Sequence, residues 1–142
     1  MSKDYRDIKD IAKDVRAELK VKFPQCKFSV TIERFTGGRE LRVALMEAPM
    51  DALTSGGYAQ ANHYVVRDYD YEDYQARHFD YETGEPTEIM TMYGFQVMKA
   101  VERIANRENW DESDPMVDYF HCNYYFNMAI GKWNKPFKVV AR

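Results

Sequence analysis

An enzyme of this size needs a nucleophile beside its base, a pair of working carboxylates, or a metal cluster. Its three histidines, His63, His78 and His121, are far apart and fall in neither an H-x-H nor an H-E-x-x-H pattern. Cys122 follows His121 in a stretch that reads as strand, where neighbouring side chains point to opposite faces, so the two cannot form a dyad. Cys26 and Cys122 belong to no C-x-x-C pair and read as small, reduced, apolar side chains. Asp111, Ser113, Asp114 and Asp118 lack the glycine and the terminal glutamate of a calcium loop. Gly37 and Gly38 lie between two strand patterns, not ahead of a helix, so no phosphate loop is expected. These residues predict a chain with no catalytic group, no cofactor and no metal site.

Charge points to binding instead. Net charges of +4 over residues 1–42 and +4 over 119–142 leave −11 for residues 43–118 of a chain whose total is −3. One candidate surface is the acidic, tyrosine-rich run Asp68, Tyr69, Asp70, Tyr71, Glu72, Asp73 and Tyr74, extended by Asp80, Glu82 and Glu85. Closely spaced carboxylates can imitate a row of phosphates and occupy the basic groove of a nucleic-acid-binding protein, and tyrosines anchor interfaces well. The opposite candidate is basic and aromatic: Arg34, Arg39 and Arg42 near one hairpin, Lys132, Trp133 and Lys135 near the other, with Tyr125 on a wet sheet face. Cations among aromatics suit single-stranded nucleic acid, yet lysines on edge strands also serve to block aggregation.

The elements that must position these groups follow from periodicity. Residues 4–23 set Tyr5, Ile8, Ile11, Ala12, Val15 and Leu19 at three- and four-residue steps, predicting a helix capped by Ser2 or Asp4 and stopped by Pro24. Phe28, Val30 and Ile32 alternate with polar residues, as do Leu41, Val43 and Leu45, predicting a hairpin across Gly37-Gly38. Residues 47–62 read as a surface connection, and 63–74 as irregular or edge structure. Met90, Tyr93, Gly94, Val97, Met98, Val101, Ile104 and Ala105 predict a second helix, with Thr87 as its cap, running to about Glu108. Residues 119–130 alternate with every even position apolar or aromatic, and 131–136 are expected to turn the chain back into a strand at 137–140. The reading is one domain over 1–142, of α+β class: two helices on one face of a four-stranded, mainly antiparallel sheet in αββ–αββ order, with an acidic, insertion-like connection at about 50–86.

Val15–Lys20, Phe23-Pro24, Lys27–Val30, Gly37-Gly38 and the strand to Leu45 together resemble a small domain appended to large polyvalent proteins of phages and conjugative elements, the twenty-ninth of the polyvalent-protein-associated domains. Asn109–Asp111, Ser113-Asp114, Asp118–Phe120, Tyr124-Tyr125, Ile130–Trp133 and Lys135–Phe137 are similar to stand-alone relatives of that domain. Ala48-Pro49 stands where the relatives commonly place Gly-Pro. The resemblance implies residence on a mobile element or in its bacterial host, and it implies no reaction.

The expected function is therefore that of a non-enzymatic accessory protein. Its expected partner is a host protein with a basic surface, such as a nucleic-acid-binding CRISPR or restriction enzyme held by the acidic run. The alternative is a single-stranded nucleic-acid module using the basic sheet, and dimerisation through the aromatic face is a third course. No stretch reaches the ~18 consecutive apolar residues of a membrane span, so the cytoplasm is the expected location.

Overall fold

A computed structural model describes residues 6–54, 64–66, 78–79, 86–87, 90–109 and 124–140. The first helix, α1 (Ile8–Lys22), begins one turn later than its apolar pattern suggests, because Asp7 supplies the cap: its carboxylate accepts from the Lys9 backbone N–H at 2.9 Å. Ile8, Ile11, Ala12, Val15 and Leu19 form the buried stripe, and the helix ends at Phe23, ahead of Pro24.

Strands β1 (Lys27–Phe35) and β2 (Gly38–Ala48) pair antiparallel from Phe35↔Gly38 to Lys27↔Glu47, with a register shift between Lys27 and Phe28. Gly37 turns the hairpin at φ 92°, a left-handed conformation that glycine adopts without penalty. Along the chain come β3 (Tyr64–Val66), a separate pair of two-residue strands β4 (His78–Phe79) and β5 (Pro86–Thr87), the helix α2 (Met92–Ala105), β6 (Tyr125–Ile130) and β7 (Lys138–Val139).

The main sheet runs β1-β2-β6-β3, with β7 also on β2. The α+β class with two helices against one sheet is as expected, but the sheet has five strands and is mixed. β6 lies parallel to β2 and antiparallel to β3. The expected closing hairpin is replaced by a different device. β2 is eleven residues long and β6 only six, and β7 is also parallel to β2, covering its end through Glu47↔Lys138 and Ala48↔Val139. Residues 131–137 are thus a detour between two in-line strands. Gly131, at φ 75°, starts it while its N–H still donates to the Leu45 carbonyl at 2.8 Å, and buried Phe137 anchors the return.

The second helix also starts later than its apolar pattern. Thr91, not Thr87, caps α2 by accepting from the Gly94 N–H at 3.0 Å, and Thr87 lies in β5. Part of the connection read as surface is core: Ala52 and Leu53 are buried, Leu53 bridges Met90, and Thr91 donates its N–H to the Ala52 carbonyl.

Both helices cover one face of the sheet. Their buried stripes join Val30, Leu41, Val43, Leu45, Val66, Met128 and Ile130 in one cluster. Tyr124 closes it from the edge, its hydroxyl donating to the Ala105 carbonyl at the end of α2. No helix among the described residues is long and apolar enough to cross a membrane.

Candidate sheet-face interface

With the helices on one side, no described helix or strand covers the other side of the sheet, which is exposed at Thr31, Arg42 and Asn127 and buried at Ala44 and Met46, and strand register arranges its side chains in rows. Ser29, Ala44, Ala129 and Val65 form one row, Thr31, Arg42 and Asn127 the next, and Glu33, Glu40 and Tyr125 the third. The first row is built mostly of small side chains, and the face forms a shallow cleft of about 740 Å³. At its rim, Lys132 and Lys135 exchange backbone hydrogen bonds of 2.8 and 3.0 Å, closing a turn whose two tip residues are Trp133 and Asn134. Trp133 is 74% exposed.

The charges on this face are largely consumed. Arg42 bridges Glu33 at 2.8 Å and also engages Glu40, whose second oxygen accepts from the Asn127 amide at 2.8 Å. Two carboxylates against one guanidinium make the centre of the face acidic on balance. Tyr125 packs on Phe35 with ring centroids 5.8 Å apart, and both rings lie over Gly38, where a Cβ would come within 3.0 Å of Tyr125.

The three hairpin arginines do not share a surface. Arg34 faces Arg39 across the hairpin, in the same alternation as Ile32 and Leu41, so both point to the helix side. There Arg34 binds the cap residue Asp7, and Arg39 donates to the carbonyl of Arg6. The Asp7 carboxyl is held below its ordinary range, first by the Lys9 backbone N–H and then by Arg34. Of the basic candidates, Arg42, Tyr125, Lys132, Trp133 and Lys135 lie on or beside this sheet face, and Arg34 and Arg39 secure α1 instead. Parity along the strands was the available signal, since 34 and 39 share the phase of their core neighbours.

Between the helices, Arg6 bridges Asp14 and Glu108, both at 2.8 Å, and Arg107 grips both oxygens of Glu18. Arg107 accordingly holds the Glu18 carboxyl below its ordinary range. Cys26 is half-buried, with its Sγ 3.3 Å from the Tyr93 hydroxyl. Burial, then the hydrogen bond to Cys26, pushes the Tyr93 phenol up. On β1, an edge strand, Arg16 donates to the Val30 carbonyl at 2.8 Å, a contact that blunts the edge.

The acidic candidates Asp68, Tyr69, Asp70, Tyr71, Glu72, Asp73, Tyr74, Asp80, Glu82 and Glu85 lie outside the described residues, as do Cys122 and the Asp111–Asp118 stretch. Among the described residues no group of three or more His, Cys, Asp or Glu could hold a metal ion.

The described residues thus form an α+β domain with its helices on one sheet face and an aromatic residue, Trp133, on the rim of the other. The chain belongs to the family described as large polyvalent protein associated domain 29, which matches residues 6–132. Membership associates it with phages and mobile elements. No curated protein and no solved structure matches the chain.

Proposed function

We propose that this family member is a non-enzymatic accessory protein of a phage or mobile element that binds a host protein and inhibits a defence enzyme, of the CRISPR or restriction kind. The observation that carries the binding part is Trp133, three-quarters exposed on a turn braced by its own backbone hydrogen bonds, beside a sheet face where Arg42 is paired with Glu33 and Glu40. Exposed tryptophan on a rigid support is the kind of group that dominates protein interfaces. Charge-paired neighbours lower the cost of desolvating such a face, whereas a phosphate backbone seeks unpaired cations. Arg42 is committed to two carboxylates and Arg34 to Asp7, so the basic sheet is a weaker candidate for nucleic acid than for protein.

The partner's chemistry follows from the eight carboxylates and two arginines of residues 67–88, a composition suited to a basic, nucleic-acid-binding surface. Plating efficiency of a susceptible phage on cells carrying a restriction or CRISPR system tests the reading. Expression of the chain is expected to raise plating, and charge reversal at Asp70, Glu72 and Asp73, or Trp133→Ala, to abolish the rise. No rise with the unaltered chain in either kind of cell overturns the inhibitor role.

A further inference from the structure

A second group of cations outside ion pairs lies on the helix side, apart from Lys132 and Lys135 at the rim of the sheet face. A cleft of about 350 Å³ lies between the end of α1 and one flank of α2, lined among others by Lys22, Phe23, Tyr93, Phe95, Lys99 and Arg103. Phe95, Lys99 and Arg103 recur at four-residue steps, which stacks them along one side of the helix. Among the described residues no carboxylate lines the cleft. Lys22, Lys99 and Arg103 enter no ion pair among the described residues, while Arg6, Arg34, Arg42 and Arg107 all do. The Lys99 ammonium lies 5.5 Å from the centroid of the Phe95 ring.

We propose that this cleft binds single-stranded nucleic acid, with Lys22, Lys99 and Arg103 on the phosphates and the half-buried Phe95 ring receiving a base. Cations outside ion pairs attract a polyanion over the distance of a Debye length. Aromatic lining decides between anions. An acidic peptide would use only the three cations, whereas an unstacked base also gains from the ring that Lys99 now covers. A duplex keeps its bases stacked inside and cannot enter a recess of this size. The proposal goes beyond the protein-binding reading, because it uses neither the sheet face nor Trp133.

Fluorescence anisotropy of the full chain with a labelled oligothymidylate of about 12 residues, from about 50 to 300 mM salt, tests it. Three phosphate contacts on a single strand predict a log–log salt slope near −2, about 0.7 from each cation. Lys99→Gln and Arg103→Gln, both at exposed positions, are each expected to remove about 0.7 from that slope. Phe95→Leu is expected to weaken binding roughly tenfold with the slope unchanged. Circular dichroism of each variant confirms that the fold is kept. Absence of binding at the lowest salt, slopes unaltered by the glutamine variants, equal competition by polyglutamate, or equal binding of duplex would each overturn the proposal.

Discussion

A Cβ placed on Gly94 would lie 2.3 Å from the backbone oxygen of Ala52, closer than any real contact. The N-terminal turn of α2 is thus seated directly on the chain that follows β2. Two bonds hold it there, Thr91 N–H to the Ala52 carbonyl at 3.1 Å and Thr91 hydroxyl to the Asp51 carbonyl at 2.6 Å, while the Gly94 N–H donates to the Thr91 oxygen at 3.0 Å to cap the helix.

Gly94→Ala should therefore reverse the usual effect of that exchange. In an unobstructed helix alanine gains up to about 1 kcal/mol over glycine, but here it must drive the helix away from residue 52. A net loss of about 2–3 kcal/mol is expected from overpacking. Urea denaturation checks this, and a variant as stable as the parent would mean that the helix and the connection are not in contact.

The alkaline limit of stability should be set by two phenols, the buried Tyr124 and the half-buried Tyr93. Burial pushes Tyr124 up to about 12 and raises Tyr93 as well, with help from Cys26. An unfolded tyrosine ionises near 10. Between those values the folded chain keeps a proton that the unfolded chain releases, so stability is intact below pH ~10 and falls as pH approaches ~12. Tyr124→Phe should flatten part of that fall, and also cost about 1–2 kcal/mol at neutral pH by removing the donor to the Ala105 carbonyl. Urea midpoints against pH for both proteins make the comparison. An unchanged alkaline limb in the variant refutes the assignment.

Much of this architecture was legible in residue order, and the exceptions have physical causes. Strict alternation from Phe28 to Leu45 contains the hairpin, and the three- and four-residue apolar steps contain both helices, because burial on one face imposes those periods directly. Which strand lies beside β2 was not legible. β6 joins it in parallel after a crossover of some 75 residues, and alternation reports a strand's faces but not its neighbour. The detour at 131–137 looked like a hairpin because Gly131, Asn134 and Pro136 mark a turn without saying whether the chain then reverses. Cap positions slipped for a related reason: Ser, Thr and Asp near a helix start all qualify by type, and tertiary seating on residues 51–54 selects Thr91. Of the basic candidates, a cation near a turn reads as surface, yet Arg34 and Arg39 are recruited to the helix start by their strand phase. The cations of the α1–α2 cleft were not legible as a group, because Lys22 is remote in sequence from Lys99 and Arg103 and only helix packing brings them together.

On the acid side, stability should respond to salt and pH through the same recruited arginine. Asp7 ionises below its ordinary value, chiefly through the Lys9 N–H and then Arg34, and Glu18 does so through Arg107. A carboxyl lowered in the folded state contributes stability that is full above the ordinary carboxylate value near 4 and is lost as pH falls through the folded value. The melting temperature is expected to drop below pH ~4, and Asp7→Ala to lower it at neutral pH while making the acid limb shallower. Because these groups are exposed, about 0.5 M salt should reduce the Arg34 contribution and leave the backbone cap intact. A double-mutant cycle over Asp7 and Arg34, run at low and high salt, separates the two. Coupling that is insensitive to salt would contradict the exposed pairing.

Trp133 offers the sharpest separation of folding from function. Its side chain stands on a turn closed by backbone bonds between Lys132 and Lys135, which survive its removal. Trp133→Ala is thus expected to change stability by less than about 0.5 kcal/mol, as for surface positions generally. A hot-spot role in an interface predicts the opposite scale for partner binding, a loss of about 2 kcal/mol or more, which is about thirtyfold in affinity. Arg42→Gln supplies the complementary case. It leaves Glu33 and Glu40 without their shared guanidinium, so it should lower stability modestly and make the face more acidic, strengthening binding to a basic protein partner. Isothermal titration of both variants against the defence enzyme that the plating assay singles out, beside their urea curves, decides the matter. If Trp133→Ala binds like the parent, the sheet face beside it is not the interface, and recognition must run through the acidic run alone.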